Sequence, residues 1–177
     1  MMVSKRALAI CGIALLAGCR AQQDGNEANS VVNSAETRNA ATAPLSNDQS
    51  LALMKERHEH MEAFGDATKK ASNALKSSSP DVDAIRDSSS RIEALAPRLL
   101  SWFPQGTGPE VGKTRAKAEI WRKPEDFALK AHDFEGAANE FDVAAKRGDL
   151  GQINTTFDAL GKTCKACHDL YRAPKKD

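Results

Sequence analysis

From residue 48 onward, the apolar residues of this chain recur at three- and four-residue steps, and no stretch shows sustained strand-type alternation. Leu51, Met54, Met61, Phe64, Ala71 and Leu75 fall on such steps or their multiples and predict a first helix over about 48–76. Ser79-Pro80-Asp81 caps a second, with Pro80 placed in its first turn, where a missing N–H costs nothing. Val82, Ile85, Ile92 and Leu95 form its stripe, Ser88-Ser89-Ser90 makes its outer face polar, and Pro97 ends or kinks it. A loop with Pro104, Gly106, Gly108, Pro109 and Gly112 is long enough to cross the end of a bundle. The third helix opens at Pro124-Glu125-Asp126 and carries Phe127, Ala131, Phe134, Ala138, Phe141 and Ala145 in near-heptad rhythm. After a turn at Gly148-Asp149, the fourth places Leu150, Ile153, Phe157, Leu160, Cys164, His168 and Tyr171 on one face. The expected fold is all-α, an antiparallel four-helix bundle.

Before residue 48 the pattern changes character. Lys5 and Arg6 precede the apolar run A-L-A-I-C-G-I-A-L-L-A, which is shorter than the roughly 20 residues a bilayer span requires. That is the make-up of a secretory signal. Leu16-Ala17-Gly18-Cys19 resembles the bacterial lipoprotein signature, which makes Cys19 the lipidated first residue of the mature chain. Arg20 follows in place of the aspartate that retains lipoproteins in the inner membrane, which favours the outer membrane. Residues 20 to about 46 hold Asn, Ala, Gln, Ser and Thr with few large apolar side chains, a composition expected of a tether. The expected organisation is a signal over 1–18, a tether over 19–46 and a bundle over 47–177. Lys plus Arg number 25 against 24 Asp plus Glu, so no strong overall field recruits nucleic acid.

Of the four cysteines, only Cys164 and Cys167 lie in the bundle, too few for a disulfide scaffold. They belong to the run Cys164-Lys165-Ala166-Cys167-His168. In a helix, Cys164 and His168 are one turn apart with Cys167 beside them. A disulfide there would strain the helix, and no βαβ pattern of a thiol oxidoreductase surrounds it. Structural zinc needs four ligands, and His58, His60 and His132 form no second metal-like cluster. Cys-x-x-Cys-His is the attachment pattern of c-type haem: two thioethers to vinyl groups and an imidazole on the iron. An exported chain fits, because that attachment occurs outside the cytoplasm. Arg57 lies between Met54 and Met61 on an otherwise apolar stripe; it either snorkels out from a bundle edge or faces the core and calls for an anion, which a haem propionate would supply. His60 and His132 read as surface histidines.

The bundle resembles cytochrome c prime, the four-helix cytochromes with haem near the C-terminus. The likeness covers about residues 46–177. It rests on C-K-A-C-H-D-L-Y-R, R-H-E-H-M in the first helix, W-F-P-Q-G-T-G in the loop, K-T-R-A-K-A-E-I-W after it, and G-D-L before the last helix. The resemblance implies one haem c, covalent through Cys164 and Cys167 with His168 on the iron. It sets Arg57 against a propionate, with His58 at a position where glutamine is frequent. It places Met61 over the distal face of the iron and Arg172 near the proximal histidine. Implied with these are a five-coordinate, high-spin haem binding nitric oxide and carbon monoxide, and a role in nitric-oxide protection or one-electron transfer. A homodimer paired through the first two helices is also implied; the redox partner is not. No catalytic constellation stands out, so no enzyme is expected. A low-spin electron-transfer cytochrome with Met61 as sixth ligand is the competing reading, and His58 beside Arg57 keeps a peroxidase-like one open. Ala173-Pro174-Lys175-Lys176-Asp177 reads as a frayed end, since Pro174 cannot continue the helix.

Overall fold

The computed structural model describes residues 44–175; the signal, Cys19 and the tether as far as residue 43 lie outside the described residues. Helix α1 spans Asn47–Lys76, α2 Val82–Leu95, α3 Glu119–Arg122, α4 Pro124–Arg147 and α5 Leu150–Tyr171. Several boundaries have a local cause. Ser46 opens α1 with a capping box: its Oγ accepts from the Gln49 amide at 3.2 Å, and Gln49 Oε1 accepts from the Ser46 amide at 2.8 Å. Asp81 opens α2, its Oδ1 accepting from the Ala84 amide at 2.9 Å. Pro80 therefore stands just before the cap, not in the first turn as expected, because the side chain that reaches the free amides is that of Asp81.

At the far end of α2, the α-helix ends just before Pro97, as expected. The helix ends at Leu95 and passes into a tighter 3-10 turn over Ala96–Trp102, with Pro97 in its opening positions where no donor is needed. α3 was not expected, because four residues are too few to carry a helical repeat. Pro124, Glu125 and Asp126 start α4, and Gly148 ends it in the left-handed region at φ 76°. There the Gly148 amide donates to Ala144 O and Ala145 O, and Asp149 at once caps α5 through the amides of Gly151 and Gln152.

Short links make α1 antiparallel to α2 and α4 antiparallel to α5. Close packing joins α1 to α2, α2 to α4 and α4 to α5. α1 and α5 approach their neighbours closely but not each other. The core is aromatic and alanine-rich: Phe64, Trp102 and Phe134 meet near its middle, and Phe103, Phe127 and Tyr171 meet toward the loop end. Fully burying one such side chain stabilises by about 1.5–3 kcal/mol. Leu51 and Leu150, assigned to core stripes by spacing, are 42% and 38% exposed; both lie at helix beginnings, where fewer neighbours surround them.

The serine triplet of α2 also departs from expectation. Ser88 and Ser89 are buried, and Ser89 and Ser90 both donate to Asp142 Oδ1, at 3.0 and 2.9 Å. Asp142 on α4 is itself only 2% exposed and pairs with Lys146. Ser89 and Ser90 thus make a polar contact between α2 and α4, whose small side chains let a carboxylate bridge them, while Ser88 Oγ donates to Ala84 O of its own helix.

Candidate haem site

The last two turns of α5 carry Cys164 and Cys167 half-buried, and His168 exposed. Helical spacing held, but the core-facing stripe did not extend to His168: burial on this helix is confined to Ile153, Leu160 and Tyr171, with Phe157 and the two cysteines partly covered. Both thiols are free. Burial pushes Cys164 up, and burial together with neighbouring Cys164 pushes Cys167 up to about 11 against a small opposing effect of Lys130. A pair held protonated is the reverse of the reactive thiolate of a redox couple. Desolvation, then the charges of Arg172 and Arg115, hold His168 below its ordinary value, with Asp169 opposing. The neutral imidazole is the form that ligates a metal.

Facing the loop, α1 contributes Arg57, 4% exposed. Its Nη1 donates to Thr107 Oγ1 and its Nη2 to Thr107 O, both at 3.0 Å, with longer contacts of 3.4 Å to Trp102 O and Thr114 Oγ1. The guanidinium carbon lies 4.9 Å from the Phe103 ring centre and 5.6 Å from that of Trp121. Burial draws its pKa down, yet a guanidinium stays charged. An anion was expected beside it. Among the described residues every partner is neutral, so the charge is hydrogen-bonded but not balanced. Thr107, Thr114, Phe103 and Trp121 were missed as individual contacts, although they fall in the loop segments that carried the resemblance.

The other candidates separate. Met61 is half-buried against the core. His58 is exposed, with Nε2 3.4 Å from Glu62 Oε1, and does not join Arg57, because successive helical residues point in different directions. His60, expected at the surface, is instead half-buried and stacks on Trp102 with ring centres 4.3 Å apart, its Nε2 3.2 Å from Glu56 Oε1. His132 is exposed beside Glu135. Arg172 caps α5, its amide donating to His168 O, and pairs with Ala116 in an isolated bridge. The tail is therefore not frayed at its start: the Ala173 amide donates to Arg115 O at 2.7 Å.

Two thiols three residues apart, an imidazole held neutral on the next turn, an unbalanced buried cation and two helices kept apart all suit a covalently attached haem. The Cytochrome C' family profile matches residues 52–172. This chain belongs to the cytochrome c' family. Cytochrome c' of Pararhodospirillum photometricum is 34% identical over 121 residues, 68% of this chain and 96% of that protein. The crystal structure of cytochrome c' from Thermochromatium tepidum superposes with a TM-score of 0.66 at 28% identity, covering 75% of this chain and 100% of that one. A nitric oxide complex of a cytochrome c prime variant from Alcaligenes xylosoxidans gives 0.65 at 26% identity, covering 71% and 97%. Like its family, this cytochrome c' carries one covalent haem c through Cys-x-x-Cys-His, here Cys164-Lys165-Ala166-Cys167-His168.

Proposed function

We propose that this cytochrome c' binds nitric oxide and carbon monoxide at a five-coordinate haem, in nitric-oxide protection or one-electron transfer. The observation that carries this reading is the fate of the α1 histidines: His58 turns to solvent beside Glu62, and His60 is held against Trp102. Neither is set to supply a sixth nitrogen ligand, and the same placement leaves a peroxidase-like His58–Arg57 pair without support. When bound, the haem supplies an iron that takes small neutral diatomics and passes single electrons. Cys164 and Cys167 would hold it and His168 would ligate it, while Arg57 would offset a propionate, Met61 would shield the iron and Arg172 would stand near His168. Met61 would restrict entry by its bulk, its flexible thioether adapting to an irregular space.

Electron paramagnetic resonance of the ferric protein is the deciding measurement. A high-spin signal is expected in wild type and in Met61→Ala, with faster or tighter carbon monoxide binding in the variant. A low-spin wild type that becomes high-spin in Met61→Ala, with a lowered reduction potential, would instead assign Met61 as the sixth ligand.

The same reading places the protein in the bacterial periplasm, anchored by a lipid on Cys19, with the outer membrane favoured. It also pairs two copies through α1 and α2. The inward turn of Ser88 and Ser89 supports that pairing, since it removes two hydroxyls from the outer α2 surface. Light scattering should give a dimer at micromolar concentration; a monomer would refute this part alone.

A further inference from the structure

Over residues 44–177, Lys and Arg equal Asp and Glu in number, yet their distribution is lopsided. Segments 113–123 and 162–175 carry nine Lys/Arg against two Asp/Glu. Tertiary structure joins these two segments: the Lys117 amide donates to Tyr171 O at 2.9 Å, the Ala173 amide to Arg115 O, and Ala116 bridges to Arg172. We propose that this cationic face around Cys164-Lys165-Ala166-Cys167-His168 docks the acidic surface of a protein redox partner. The inference rests on the haem reading above and names the chemistry of its partner.

Helix termination accounts for part of the cluster. Lys117 Nζ donates to Asp169 O and Leu170 O, and Arg115 Nε to Ala173 O, as cations do at a helix C-terminus. It does not account for the rest. Burial, and then the charge of nearby Arg115, draws Arg172 below its ordinary value. Among the described residues, Lys113, Arg115, Lys117, Lys162, Arg172 and Lys175 have no carboxylate within ion-pair distance, while Lys165 and Arg122 pair with Asp169 and Glu119. Keeping like charges together without counter-charges costs stability, and an incoming anionic surface relieves that cost. The location selects the partner: these cations surround the residues that attach the redox group, so a protein held here meets the electron at its nearest exit. A local field of this kind raises association rates about 10- to 1,000-fold and is screened by salt.

The test uses ferrous holoprotein and two one-electron oxidants of opposite charge, ferricyanide and tris(phenanthroline)cobalt(III). Each takes one electron from the haem, which becomes ferric as the oxidant is reduced to ferrocyanide or to cobalt(II). In stopped flow, the ferricyanide rate should fall roughly tenfold as salt rises from about 10 to 300 mM, the cobalt rate should rise, and poly-L-aspartate should slow ferricyanide by covering the face. Lys113→Glu/Arg115→Glu should flatten or invert these trends. Lys69→Glu/Arg91→Glu, an equal charge change at exposed positions of α1 and α2, should preserve the direction of both. Flat responses in wild type, or equal effects of the two variants, would overturn the proposal. Haem is counted first by its absorbance in alkaline pyridine: a haem-free chain fails the parent reading and docking with it, whereas a loaded chain with flat kinetics fails docking alone. Patch-dependent sedimentation of Cys19→Ser holoprotein with phosphatidylglycerol vesicles at 0.15 M salt would overturn the proposal in favour of a lipid surface.

Discussion

Arg57→Ala removes a guanidinium that ties α1 to the loop between α2 and α4. Two of its hydrogen bonds, at 3.0 Å to the hydroxyl and carbonyl of Thr107, are well formed, and the two at 3.4 Å are marginal. Charge-assisted bonds contribute about 1.5–3 kcal/mol each, so the two good ones amount to about 3–6 kcal/mol before any offset. The offset is the desolvation of a guanidinium that is 4% exposed, which the variant no longer bears. Thr107 Oγ1 keeps its own bond to Pro104 O at 2.8 Å, which limits the damage. The expected net loss is about 3 kcal/mol, or about 10 °C in Tm for a domain of this size. Arg57→Lys keeps the charge without the planar fork that reaches both Thr107 and Thr114, and should lose about 2 kcal/mol. Thermal melts of the holoprotein, followed by circular dichroism at 222 nm and by haem absorbance, measure both. Arg57→Ala should in addition lower the reduction potential, because a cation near a propionate favours the reduced group. A stability loss under about 1 kcal/mol would refute the view that this buried cation anchors the loop, and an unchanged potential would separate it from the haem.

The Asp142 network answers to pH. Two serines and Lys146 outweigh burial and hold its carboxyl below the usual carboxylate value, so its stabilisation is present above the unfolded value, about 4, and disappears as pH falls through the lower folded one. Urea unfolding should therefore find Asp142→Asn about 1–2 kcal/mol less stable than wild type at pH 7, with the gap closing below about pH 4; a gap independent of pH would contradict the assignment. For the membrane anchor, Cys19→Ser should move the protein from the membrane fraction to the soluble one with its haem spectrum unchanged. A wild type that already fractionates as soluble would end that reading.

Four long helices were legible in the chain because their causes are local. Apolar steps of three and four, Ser46 and Gln49 at a helix start, Gly148 at a left-handed end and Asp149 as a cap each act within a turn or two of themselves. The attachment motif was legible for the same reason, since Cys164, Cys167 and His168 share one side of a single helix by spacing alone. Which way a residue faces among several helices is a different matter. Ser88-Ser89-Ser90 reads as a polar outer face, yet Ser89 is buried against Asp142, more than fifty positions later. His60 reads as solvent-exposed until Trp102 covers its ring. The motif of Arg57 suggested a buried charge, but only the loop's return past α1 revealed that Thr107 and Thr114 hold it with neutral oxygens. The chain as a whole is nearly neutral, and its cationic face forms only where residues 113–123 meet the end of α5. Periodicity and capping are short-range and written in consecutive residues, whereas partners, burial and local field depend on distant segments that only the packed bundle brings together.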